Sequence, residues 1–190
     1  MIKYLFAVIL FVSGTAFAAE SNIEQYVHKL MNESVDVLNN DKLDQAAKTT
    51  KVRQMLSENM DTQWMARFTL GRIIKTLSEA QASKFIAVYK DYVINTYARA
   101  VSQYKGEKVS IVSVQKMDEE FSIVSTQVHK NDGNIINVNY LVQEVSGTYK
   151  VCDIITEGIS LVNSQKAEYG SVIASQGADA LIEELKSKTK

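Results

Sequence analysis

After Gly106 the period of the apolar residues changes from 3.6 to 2, and that change divides the chain into a helical half and a sheet half. Four segments follow, Lys108–Lys116, Glu120–His129, Ile135–Val145 and Thr148–Thr156, each rich in Val, Ile, Thr and Tyr. The joints between them read "MDE", "NDGN" and "SG", the residue types of tight turns. The pattern predicts a four-stranded antiparallel meander. In "NVNYLVQEV", Val138, Tyr140 and Val142 alternate with Asn137, Asn139, Leu141 and Gln143, so one face is apolar and available to helices.

Before Gly106 the spacing is helical. Ile23, Tyr26, Val27, Leu30, Met31, Val37 and Leu38 share a face, and Ser21 with Glu24 forms a capping-box pattern ahead of them. The stretch from Asp41 to Met60 is less periodic and predicts one or two shorter helices. Asp61 then precedes "TQWMARFTLG", in which Trp64 and Phe68 lie on one face and Gly71 is a stop. Ser78 and Gln81 form a second capping box, followed by Ala82, Phe85, Tyr89, Tyr92, Val93, Tyr97, Ala100, Val101 and Tyr104, a helix of about 27 residues and roughly 40 Å running to Gly106. Two more helices, about Leu161–Ser175 and Ala178–Lys188, close the chain. Helices followed by a meander predict an α+β domain, a curved four-stranded antiparallel sheet wrapped by helices.

The amino terminus predicts export. Lys3, the apolar run "YLFAVILFV" and the small-x-small triplet Ala16-Phe17-Ala18 describe a signal peptide over residues 1–18, leaving residues 19–190 as a single domain. Nine apolar residues are too few to span a membrane, which needs about 20 in a helix. Without Lys3 the chain carries 20 bases against 22 acids, a net charge of about −2, which favours neither nucleic acid nor an anionic surface as partner. Cys152 is the sole cysteine, so no intrachain disulfide forms, and its apolar surroundings predict a buried, inert thiol. Proline is absent and no linker or repeat divides the chain.

Candidates for chemistry are few. His28 and His129 have no ligand partners at recognised metal spacing, which predicts surface or rim positions and no metal site. Asn32-Glu33-Ser34 matches a glycosylation sequon inside a helical segment, where coincidence is the simpler reading. Ser160 in "EGIS" lacks the second glycine of a nucleophile elbow and has no histidine nearby in sequence. Asp153 and Glu157 would point to the same face of a strand about 13 Å apart, too far for a coupled acid pair. Glu157 falls where Gly158 turns the chain, so its carboxylate is expected to cap the following helix or pair with a base. The alternative is a small exported enzyme of ketosteroid-isomerase-like fold acting on an apolar substrate, with a carboxylate projecting into its pocket.

In order along about Met60–Leu185, the segments "MDTQWMARFTLGR", "INTYARAVSQYKGEKV", "NVNYLV", "YKVCDIITEGISLV" and "GADALIEEL" resemble the MlaC family of periplasmic phospholipid-binding proteins, also called the toluene-tolerance or auxiliary ABC-transport family. The resemblance implies a nuclear-transport-factor-like fold with a deep apolar cavity for acyl chains. It implies no catalysis and no cofactor beyond phospholipid carried as cargo. The implied partners are an outer-membrane lipoprotein complex and an inner-membrane ABC transporter with a lipid-binding ring.

By the same resemblance, the cavity is lined by Trp64, Phe68 and Leu70, by Phe85, Tyr92 and Tyr97, by Val138, Tyr140 and Val142, and by Ile154, Ile155, Gly158, Ile159 and Ser160. Strand parity lets only one of Ile154 and Ile155 face inward. The chain departs from the family pattern at Gln165, Lys166 and Tyr169, where relatives often carry a Tyr-Arg pair and a Phe, and at Ile74, where they often carry a Trp.

Overall fold

A computed structural model describes residues 22–101 and 106–189. The signal-peptide segment 1–18, Ser21 of the first capping box and Tyr104 lie outside the described residues.

Helix α1 (Asn22–Leu38) and helix α2 (Gln45–Asn59) lead the chain, followed by α3 (Thr62–Leu70), a 3-10 turn (Gly71–Thr76) and α4 (Glu79–Val101). The region from Asp41 to Met60 holds one helix. Asp44 caps it, its carboxylate accepting the Ala47 amide at 2.7 Å, and Val52 is its one buried residue, which explains the weak periodicity. Asp61 caps α3 through the Trp64 amide at 2.8 Å. Gly71 ends α3 at φ +51, a conformation that favours glycine, and a side chain there would also meet the Lys166 stem. The capping box at α4 forms as expected, with Ser78 and Gln81 each accepting the other's amide at 3.2 Å.

The strands are β1 (Lys108–Lys116), β2 (Phe121–His129), β3 (Ile135–Val145) and β4 (Thr148–Thr156), paired antiparallel in chain order. The expected count of four is corrected to five by β5 (Ile159–Ser160). Glu157 and Gly158 both take positive φ, 49° and 80°, so the chain folds back as a two-residue hairpin before it becomes helical. Bulges at Ile111/Ser113 and Leu141/Val142 interrupt the ladders and add twist and bend. Helices α5 (Leu161–Gln176) and α6 (Ala178–Lys188) complete the fold.

Register decides which side chains share the core. Val124 pairs with Tyr140, and Tyr140 with Ile154; Thr126 pairs with Val138, and Val142 with Val151. Cross-strand partners point the same way, and Val124, Thr126, Val142 and Val151 are buried. This face joins one apolar cluster with Met65, Ala66 and Leu70 of α3, Phe85, Tyr89 and Val93 of α4, Val162 and Tyr169 of α5, and Leu181, Ile182 and Leu185 of α6. The free edge of β4 is closed by the α2–α3 junction, where the Asp61 amide donates to the Val151 carbonyl at 2.9 Å and Lys150 donates to the Glu58 carbonyl. The sheet therefore has a covered edge here.

Cys152 occupies the bulge of β4 and is fully buried. Burial, and then the charge of Asp61, push its thiol up to about 12. At about pH 8 it is expected to resist iodoacetamide in the native protein and to react once urea unfolds the chain. Stoichiometric labelling of native protein, read by mass, would contradict that burial.

Candidate functional site

The stretch Asp153–Val162 is a corner built on hydrogen bonds to backbone. Asp153 is 3% exposed, and its carboxylate accepts from the Ile154 amide at 2.8 Å, the Ser160 hydroxyl at 2.5 Å and the Val162 amide at 3.1 Å. Ser160 is in turn the N-cap of α5 and accepts the Asn163 amide at 3.1 Å. A carboxylate at a helix N-terminus meets unpaired amides and the positive end of the helix dipole. Glu157 does not cap the helix. Its own amide donates to the Asn137 carbonyl at 3.0 Å and its carboxylate accepts the Asn137 amide at 2.5 Å, so it extends the β3–β4 ladder through the turn.

The residues expected to line an apolar cavity do not share one setting. Leu70, Phe85 and Val142 are buried members of the common core. Trp64, Phe68, Tyr92, Tyr97, Tyr140 and Ile154 are partly buried and pack against it. Val138 stands on the same face of β3, beside Thr126. Ile155 pairs with Asn139 on the opposite face, so Ile154 is the inward member of the pair. Ser160 is half-buried in its capping role, whereas Gly158 and Ile159 sit at an exposed hairpin tip, Ile159 being 68% exposed. The two-residue hairpin carries them away from the interior, an outcome that residue spacing did not anticipate.

Tyrosines mark the boundary of this interior. The Trp64 and Phe68 rings stack at 4.9 Å and Lys166 lies over Phe68 at 4.8 Å. Deeper in, Phe85, Tyr89 and Tyr169 form a triangle with centroid separations of 5.7, 6.0 and 6.3 Å. Tyr89 donates its hydroxyl to Gln165 at 2.7 Å, joining α4 to α5 at a buried position. Tyr97 is held well above the ordinary phenol range, first by burial and then by the charge of Asp153, with Tyr140 and Tyr92 nearby. Sequence reasoning missed Tyr89 and Gln165 as a polar contact, although Gln165 stood out as a departure from the family pattern. Pairing across 76 residues has no local signal.

A cavity of about 470 Å³ at the β1–β2 turn end of the sheet has a mixed wall, with Glu24, Lys116, Glu119, Glu120 and Glu144 beside the apolar Ile23, Val114, Val142 and Tyr149. His28 is exposed, and the His129 Nε2 lies 3.3 Å from the Ser110 hydroxyl at the sheet rim. Among the described residues no group of three or more His, Cys, Asp or Glu is arranged to hold a metal ion, and no helix is long and apolar enough to cross a membrane.

Helices packed on one face of an antiparallel sheet around one apolar core define an α+β domain. The MlaC protein family matches residues 28–187, and the chain belongs to that family. A relative from Haemophilus influenzae, the intermembrane phospholipid transport system binding protein MlaC, is 24% identical over 194 residues, covering 95% of this chain and 91% of the relative. Toluene tolerance protein ttg2D of Pseudomonas putida is 21% identical over 99 residues, 52% of this chain and 46% of its own. A solved structure of a phospholipid-binding protein from Ralstonia solanacearum, in complex with a phospholipid, superposes with a TM-score of 0.76 at 20% identity, covering 89% of this chain and 97% of that one. At that identity the likeness speaks for the fold.

Proposed function

We propose that this protein is a periplasmic phospholipid carrier, with residues 1–18 as its signal peptide and residues 19–190 as one lipid-binding domain. It shuttles lipid between an outer-membrane lipoprotein complex and an inner-membrane ABC transporter with its lipid-binding ring. The observation that carries this reading is family membership over residues 28–187, supported by a fold shared along nearly the whole of a protein solved with phospholipid. A two-tailed lipid hides about 30 methylenes at about 0.8 kcal/mol each, so its passage through water requires an enclosed apolar site.

The cargo-facing wall in this proposal consists of Trp64, Phe68, Leu70, Phe85, Tyr92, Tyr97, Val138, Tyr140, Val142 and Ile154, most of them core or core-packed side chains. Leu70, Phe85 and Val142 are buried and the other seven are half-buried, which suits a wall that rearranges as acyl chains enter. Asp153, Glu157 and Ser160 serve the corner, because their oxygens are engaged by backbone amides or by one another, so the carrier reading is preferred to an enzymatic one.

Protein purified from the periplasm is expected to release phospholipid on organic extraction in near-stoichiometric amount, identified by mass spectrometry. Protein that is lipid-free and also takes none from vesicles would refute the carrier reading. Val138→Trp, which places an indole on the half-buried core face of β3, is expected to cut recovered lipid about tenfold with the fold retained, since a bulky filler occupies volume that acyl chains need.

A further inference from the structure

The net charge disfavours an anionic partner for the chain as a whole, but its bases are not spread evenly. From Thr62 to Ser78, α3 and the 3-10 turn carry Arg67, Arg72 and Lys75 and no acid. All three are exposed, as is Lys166 of α5. Lys166 lies across this segment, its Nζ 4.8 Å from the Phe68 ring centre and its Cε 3.1 Å from where a Cβ on Gly71 would stand. Residues three apart on a 3-10 helix eclipse each other, so Arg72 and Lys75 share one side of the turn. Ile73 takes the other side, against Gly170 of α5. Among the described residues none of these four cations forms an ion pair, whereas Lys84, Lys186 and Lys188 each have a carboxylate. The carboxylates at the margin are engaged elsewhere: Asp61 accepts the Trp64 amide at 2.8 Å, Asp118 accepts the Phe121 amide at 2.7 Å, and Glu168 lies 4.0 Å from Lys188.

The same segment carries aromatic rings that reach solvent. Trp64 stacks on Phe68 at 4.9 Å and tilts against Phe121 of β2 at 5.8 Å, and all three are half-buried. Arg67 lies one helical turn from Trp64. Half-exposed rings beside cations without counterions suit a membrane–water interface, where the rings enter the headgroup layer and the bases meet lipid phosphates. Trp64 is the one tryptophan of the chain, a residue type enriched at that interface. An acidic protein surface would answer the cations but gives no particular use to the rings. We propose that the face formed by α3, the 3-10 turn and Lys166 of α5 docks the protein on an anionic lipid bilayer, with Arg67, Arg72, Lys75 and Lys166 on phosphates and Trp64 in the headgroup layer. Trp64 and Phe68 also belong to the proposed cargo wall, but docking needs no bound cargo and is tested apart from the carrier reading.

The test is cosedimentation of full-length mature protein with vesicles of phosphatidylcholine, with and without phosphatidylglycerol. Wild-type protein is expected to bind the anionic vesicles at least about tenfold more tightly, and to be released in about 1 M salt, where charges are screened beyond about 3 Å. Arg72→Gln combined with Lys75→Gln should weaken that binding about twentyfold, at about fivefold per cation. Lys51→Gln combined with Lys84→Gln removes the same charge from sites near Glu58 and Glu183, and should stay within about twofold of the wild type. Brominated acyl chains in the anionic vesicles should quench the Trp64 emission, and about 1 M salt should restore it. Equal binding to the two kinds of vesicle, or equal losses in the two double variants, overturns the inference. Quenching that survives salt overturns it as well, because the brominated lipid then lies within the protein and Trp64 is not at the bilayer. Retention on immobilised polyglutamate without vesicle binding overturns it and assigns the face to an acidic protein surface. The carrier reading is judged separately, by the lipid extracted from purified protein.

Discussion

Raising the pH above 10 is expected to unfold the protein cooperatively before its buried tyrosines ionise in the native state. Burial holds the phenols of Tyr89 and Tyr169 well above their ordinary value, and Tyr89 also feels Tyr97 and the charge of Asp153. The folded protein keeps these protons at a pH where the unfolded chain releases them, so the unfolded state binds fewer protons and stability falls as pH rises. The contribution is complete below about 10 and is lost above it. Two such groups remove about 2.7 kcal/mol per pH unit, or roughly 5 kcal/mol by pH 12, comparable with the whole stability of a modest domain. Tyr26, pushed up to about 12 by burial, adds to the trend. Tyrosinate absorbance and circular dichroism should change together. Full tyrosinate absorbance near pH 10 with an intact far-ultraviolet spectrum would show that these phenols are not buried as described.

Asp153→Ala is expected to cost about 3–5 kcal/mol in urea unfolding, because it strips acceptors from buried donors and removes the anion at the start of α5. The amides of Ile154 and Val162 and the hydroxyl of Ser160 would lose their shared partner, at positions where little water can replace it. Asp153→Asn keeps one acceptor oxygen without the charge and should lose less, about 1–2 kcal/mol. A change below about 0.5 kcal/mol for the alanine variant would mean that the corner holds without its carboxylate, and that another explanation is needed for a buried aspartate 3% exposed. Glu157→Ala touches a more exposed contact and is expected to cost less than Asp153→Ala, since water can pair the freed Asn137 amide.

The two carboxylates of "DIITEGISLV" look alike in the sequence and differ in the fold. Their separation argued against an acid pair, and the hydrogen bonds agree that each meets backbone. What the spacing did not reveal was the direction of each. Asp153 turns to α5, whereas Glu157 turns back to β3, because a hairpin intervenes where a direct strand-to-helix passage was expected. The same hairpin moved Gly158 and Ile159 to an exposed tip and left Ile154 as the inward isoleucine.

The long-range contacts were the least legible. Tyr89 with Gln165, Phe85 with Tyr169 and Lys166 with Phe68 each join elements distant in sequence, and no periodicity predicts which phenol finds a partner. Local rules succeeded where the physics is local. Asp61 before α3, Ser78 with Gln81 before α4 and Gly71 after α3 follow from the unpaired amides and carbonyls of helix ends.

The sequence by itself determined the α+β order, the boundaries of β1 to β4 to within a residue, the apolar face of β3 and the inert setting of Cys152, because each depends on neighbours within a few positions. Only the tertiary structure decided that Asp153 anchors α5, that Ile159 faces solvent and that the Tyr169 hydroxyl is buried without a partner among the described residues. Those outcomes depend on which surfaces meet, and a side chain's burial and hydrogen bonding are settled by the elements packed against it.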